Sequence, residues 1–169
     1  MNKIYIVGLP ASGKTTIGRW LSEKMNWSFL DIDEKIVQQQ GMSIFDYFKT
    51  CGEDSFRSLE TKILRETENL SQYVIACGGG TASHSDNMLW MSAEGLTLFL
   101  NPDLGTIQTR IVENPNHRPI FEDKSFTQVR EILHELLEKR GVDYHKSKII
   151  WNKSKPENTL HVAVNQLVV

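Results

Sequence analysis

Gly8-Leu9-Pro10-Ala11-Ser12-Gly13-Lys14-Thr15 fills every fixed position of the pattern G-x-x-x-x-G-K-[ST]. Glycines let the backbone wrap so that successive N–H groups point at one anion. A helix starting at the end of the loop adds its positive N-terminal pole to the same spot. Lys14 supplies a mobile cation for the outer phosphates of a nucleoside triphosphate, and the Thr15 hydroxyl is a ligand for magnesium. Gly8, Ala11, Ser12, Gly13, Lys14, Thr15 and Thr16 are therefore the nucleotide-binding set. The bland alternative, a tight glycine turn, would not need the lysine and the hydroxyl.

Asp31 and Asp33 stand two apart at the end of a second apolar run, so both lean into one crevice. Phosphoryl transfer needs an acid near the metal and another to orient or deprotonate the accepting hydroxyl. The competing role for such a pair is to cap the helix that follows. The third apolar run ends Ala76-Cys77-Gly78 without an acid, which leaves Asp31 as the metal-side carboxylate. Gly78-Gly79-Gly80 leaves room for a ligand to lie against the backbone. Arg57, in Phe56-Arg57-Ser58-Leu59-Glu60, has a plain explanation as an i,i+3 partner of Glu60. Arg140 reads equally as a solvated helix end. Arg118, in an irregular segment, is a candidate to stabilise charge on the transferred group when a loop closes, its plain alternative being an exposed loop cation.

These residues need a scaffold. Short apolar runs at Ile4–Val7, 27–30, Tyr73–Ala76, Leu96–Leu100 and Ile149–Trp151 alternate with helical patterns at 16–25, 34–40, 43–48, 53–70, 85–93, 103–112 and 125–144. Cys51-Gly52 breaks the pattern after Phe48, and Pro156 opens a closing helix. Strands alternating with helices imply a parallel sheet covered on both faces. Ligands then bind beyond the carboxyl ends of its strands. The segment 113–124 is long enough to suspect a functional loop.

The chain of 169 residues suits one domain, 1–169, with 40% apolar and 24% charged residues and a net charge of −2. That balance argues against nucleic acid or an acidic membrane as the main partner, and the small size fits a monomer. Cys51 and Cys77 are too few for a disulfide framework. No signal-like start or membrane-length apolar run is visible, so a reducing cytoplasm is the expected compartment.

Taken together, the phosphate loop, Leu30-Asp31-Ile32-Asp33, Phe56-Arg57-Ser58-Leu59-Glu60, Gly78-Gly79-Gly80, Arg118-Pro119, and Arg140 with Tyr144 resemble shikimate kinase in order and spacing over nearly the whole chain. The resemblance implies an αβα P-loop kinase fold of the nucleoside monophosphate kinase kind. Its five-stranded parallel sheet has the order 2-3-1-4-5, with a helical substrate-binding region at about 33–61 and a lid at about 113–124. It also implies transfer of the γ-phosphate of ATP, with Mg2+, to the 3-hydroxyl of shikimate in aromatic amino-acid biosynthesis.

By the same resemblance, Asp33 holds the accepting hydroxyl and takes its proton. Arg57 and Arg140 grip the substrate carboxylate, and Gly79 offers a backbone N–H to the ring hydroxyls. Asp31 and Thr15 serve the metal, and Arg118 is the lid arginine. Arg110 lies against adenine, opposite the 152–156 turn. Where the family has an apolar residue before the tyrosine this chain has Asp143, close enough to Arg140 to pair with it. A gluconate kinase on the same scaffold would lack the two-arginine clamp. A nucleotide-binding module without catalysis would lack Lys14, Asp33 or Arg118.

Overall fold

The computed structural model describes residues 2–114 and 119–168. Five strands, β1 (Lys3–Val7), β2 (Ser28–Asp31), β3 (Tyr73–Ala76), β4 (Leu96–Leu100) and β5 (Ile149–Trp151), form one sheet in the order β2-β3-β1-β4-β5. Every pair is parallel, with Ile4 opposite Val74 on one side and Leu96 on the other. The order expected from the resemblance is the one observed.

All five residues of β1 are buried, because helices cover both faces. Alternation survives only as a choice of face. Tyr5 and Val7 join one core with Ile75, Phe99 and Leu133, while Ile4 and Ile6 join the other with Ile17, Leu21 and Leu160. The helices are α1 (Lys14–Met25), α2 (Ile32–Gln40), α3 (Ile44–Arg65), α4 (Asn87–Glu94), α5 (Leu104–Glu113), α6 (Phe126–Tyr144) and α7 (Asn158–Val168). Ser43 caps α3 through the Asp46 amide, and Ser125 forms a capping box with Gln128 at the start of α6.

Several boundaries differ from the sequence reading. The two helices expected on either side of Cys51-Gly52 are one bent element, α3, with the bend at Gly52 (φ 81°, ψ 169°), and it ends at Arg65 rather than running to Leu70. A 3₁₀ turn at Thr81–Ser83 precedes α4, which starts at Asn87 instead of Ser85 because Ser85 takes a left-handed φ of 53°. Pro156 lies two residues before α7 and not at its first position. Within the segment 113–124, Glu113 completes α5 and Pro119–Phe121 is a 3₁₀ turn. Phe121 is 2% exposed and belongs to the core beside Val129 and Leu133, so this end of the segment is anchored. Among the described residues no helix is long and apolar enough to cross a membrane.

Candidate active site

The phosphate loop joins β1 to α1 as its sequence requires. Gly8 has φ 146°, and a Cβ there would stand 2.6 Å from the Leu100 carbonyl, so only glycine lets the loop pass β4. Gly13 (φ 101°) occupies the N-cap of α1 and offers no side-chain cap, leaving the first-turn amides of α1 to a bound anion. Lys14 Nζ donates to the carbonyls of Gly8 (3.0 Å) and Leu9 (2.8 Å), which holds the ammonium inside the loop. Ser12 Oγ is buried without a hydrogen-bond partner among the described residues. A hydroxyl so placed is suited to a phosphate oxygen.

Asp31 takes the capping role weighed for it and also meets Thr15. Its Oδ1 accepts from the Asp33 amide at 3.0 Å and the Glu34 amide at 3.3 Å, capping α2, and its Oδ2 accepts from the Thr15 hydroxyl at 2.7 Å. The cap and the contact with the Thr15 hydroxyl use different oxygens of the one carboxylate, so capping α2 does not prevent Asp31 from standing beside Thr15. A hydroxyl beside a carboxylate fits magnesium, which takes few protein ligands and fills its shell with water and phosphate oxygens. No group of three or more His, Cys, Asp or Glu side chains able to hold a metal occurs among the described residues.

Two cavities open beyond the carboxyl ends of the strands. The first, about 390 Å³, is lined by Gly13, Lys14, Thr15, Thr16, Asp31 and Arg110 among others. Arg110 donates to the Ala11 carbonyl at 3.1 Å and the Ser154 carbonyl at 2.9 Å, tying the phosphate loop to the turn expected to form the other adenine wall. Ala11 itself is held at a left-handed φ of 60°. Cys77 lines the same cavity, and burial, with Glu60 adding to it, pushes its thiol well up, so it stands there as a neutral group.

The second cavity, about 510 Å³, lies between α3, the triple glycine and α6 and has Phe48 and Phe56 in its apolar wall. Arg57 lies flat against the backbone there, since a Cβ on Gly80 would meet its guanidinium at 2.5 Å. It donates to Glu60 at 2.8 Å and to Glu53 at 3.4 Å. Burial alone would lower its pKa, but the carboxylates of Glu60 and Glu53 outweigh burial and the net shift is upward. The i,i+3 pair with Glu60 thus exists alongside a place in the cavity wall. Glu60 is more than a surface partner, being fully buried and accepting also from the Thr81 hydroxyl at 2.5 Å. Sequence reasoning missed its burial, although the glycines were a signal. A Cβ on Gly78 would sit 2.2 Å from Glu60 Oε1 and 2.8 Å from Asp33 Oδ1.

Arg140 reaches the same cavity from α6 and donates to the Gly79 carbonyl at 3.0 Å. The fully buried Tyr144 donates to that carbonyl too. Burial pushes its phenol up to about 12, against a downward pull from Arg140, so it remains a donor throughout the neutral range. The Asp143–Arg140 pair that the spacing allows does not form. Asp143 pairs with Lys146 at 2.7 Å, and Arg140 turns inward. Gly79 is beside the cavity as expected, with its carbonyl rather than its N–H engaged by protein groups. Arg118 lies outside the described residues.

Asp33 is in the lining of both cavities, so a group bound in either meets the same carboxylate. A phosphate loop opening on one side of a shared acid and an arginine-bearing hollow on the other define a P-loop kinase for a small acceptor. Comparison with known proteins narrows the class. The family model described as shikimate kinase matches residues 10–168. A shikimate kinase of Azobacteroides pseudotrichonymphae is 36% identical over 152 residues, covering 89% of this chain and 89% of the relative. The 1.7 Å crystal structure of shikimate kinase from Bacteroides thetaiotaomicron superposes with a TM-score of 0.88 at 30% identity, covering 98% of this chain and 94% of that one. A shikimate kinase from Acinetobacter baumannii in complex with shikimate gives a TM-score of 0.88 at 27% identity, covering 98% and 92%. The chain belongs to the shikimate kinase family, and is thereby an ATP-dependent phosphotransferase acting on shikimate.

Proposed function

We propose that this chain moves the γ-phosphate of ATP to the 3-hydroxyl of shikimate, giving ADP and shikimate 3-phosphate, with Asp33 as the acid–base group between the two substrates. The observation that carries the reading is the presence of Asp33 in both cavities. From there its carboxylate accepts the hydrogen bond of the attacking hydroxyl, orients it towards the phosphate side and takes its proton as the new P–O bond forms.

The loop amides, Lys14 and the positive end of α1 face the charge that builds on the transferred group. Arg110 and the 152–156 turn hold the adenine end. Thr15 and Asp31 would hold Mg2+, which when bound neutralises charge on the β- and γ-phosphates. Arg57 and Arg140 take the acceptor's carboxylate, and the Gly79 N–H takes its ring hydroxyls. Region 33–61 then forms the substrate side and 113–124 the lid, with Arg118 entering on closure, in a single-domain, monomeric, cytoplasmic enzyme.

The direct test is ATP-dependent ADP release with magnesium, comparing shikimate, gluconate and no acceptor. Shikimate-dependent release is expected. Release with gluconate alone overturns the acceptor assignment, and nucleotide binding with no turnover on either overturns the catalytic one.

The clamp has its own signature. Arg140→Ala raises the KM for shikimate by roughly tenfold to a hundredfold, the worth of a charge-assisted hydrogen bond. It lowers kcat far less, because the carboxylate is gripped before and during transfer alike. Steady-state kinetics at saturating ATP read this split, and an unchanged KM removes Arg140 from the clamp.

A further inference from the structure

The acceptor cavity has a charge problem that two arginines do not solve. Its charged lining among the described residues is Asp33, Lys49, Glu53, Arg57, Glu60 and Arg140. Three carboxylates therefore stand against two arginines, and Arg57 is already engaged by two of the three. Arg140 has one donor committed to the Gly79 carbonyl. Without a further cation such a wall repels an anionic acceptor.

Lys49 is the remaining charge. It sits on the first limb of α3 beside Phe48, while Arg57 sits on the second limb beyond the bend at Gly52, so the two cations reach the cavity from different directions. The bend also breaks the regular helical spacing across which Lys49 would pair with Glu53, four residues on. Lys49 is exposed and makes no ion pair among the described residues. The plain explanation, a solvated helix cation, does not account for its place in the wall of a cavity whose other charges sum to a negative value.

We propose that Lys49 is the third cation of the acceptor site, a specificity-determining residue that draws the substrate carboxylate from solvent and offsets Glu53. The proposal rests on reading this cavity as the shikimate site.

Lys49→Ala, Lys49→Arg and Lys49→Glu separate it from a structural role when assayed with shikimate and with its uncharged methyl ester, the ester measured as substrate or competitive inhibitor. At low salt Lys49→Ala is expected to raise the KM for shikimate about threefold to fivefold, the size of an exposed charge contact. Its kcat, ATP KM and melting temperature stay at the wild-type level. The rise shrinks at about 0.5 M salt, where exposed charges are screened. Lys49→Glu is worse, Lys49→Arg restores binding, and the ester binds wild type and Lys49→Ala equally. An unchanged shikimate KM in an active Lys49→Ala enzyme, or an equal rise for acid and ester, overturns the proposal. A wild-type enzyme inactive on shikimate overturns the reading of the cavity as well.

Discussion

Lys14→Ala lowers kcat for shikimate phosphorylation by about a hundredfold to a thousandfold, the scale seen when one preorganised group facing transition-state charge is deleted. Lys14 is only 8% exposed and its ammonium is held between the Gly8 and Leu9 carbonyls. In the proposed reaction it is held beside the site of the outer phosphates before they bind. Charge on the transferred group peaks in the transition state, so the loss falls on kcat more than on nucleotide affinity. ADP-release kinetics with a separate nucleotide titration measure the two effects. Because the substitution also orphans two carbonyls of the loop, a thermal melt and the variant Lys14→Arg accompany it. The arginine keeps the charge but not the compact ammonium geometry, and is expected to stay well below wild type. Near-normal kcat in a folded Lys14→Ala protein would remove the loop from phosphoryl transfer.

Asp33→Asn has an effect of similar size for a different reason. The amide keeps the shape of the carboxylate and can still bond the acceptor hydroxyl, but it cannot take the proton. A fall in kcat of about a hundredfold to ten-thousandfold is expected, with the shikimate KM changed little. Single-turnover mixing of enzyme, ATP and shikimate measures the chemical step apart from product release. The second cavity leaves Asp33 in reach of an acceptor, and the 2.8 Å spacing to a Cβ on Gly78 shows how closely the glycine loop passes it. A larger side chain at Gly78 would displace the base from its post. If Asp33→Asn turned over at the wild-type rate, the proton would be leaving by another route, and the shared carboxylate would be a positioning group alone.

Much of the fold was legible because its signals are local. An apolar, β-branched run followed by glycines and a helical rhythm predicts strand, loop and helix from neighbours in sequence, and β1, the phosphate loop and α1 fall where those signals put them. The less successful boundaries also have local causes that the pattern did not show. Gly52 bends α3 rather than ending it, and Ser85 takes a left-handed turn before α4. Asp31 could be read as a cap or as a metal-side acid, and the two readings do not compete, because the cap uses one carboxylate oxygen and the other faces the Thr15 hydroxyl.

The sequence by itself determined the chemistry at hand: a phosphate loop, two acids after a strand, a glycine run, and arginines able to bind a carboxylate. Tertiary structure decided which of these groups meet. Glu60 looked like half of a surface pair, and is buried because the Gly78 backbone and the Thr81 hydroxyl close over it. Asp143 shows the limit most simply. It lies three residues from Arg140 within α6 and three from Lys146 just past the helix end, so both cations are near it in sequence. The Gly79 carbonyl, 61 residues away in the chain, engages Arg140 inside the cavity and leaves Asp143 to Lys146. Helical spacing offers partners to a charge, and packing against a distant strand end chooses among them.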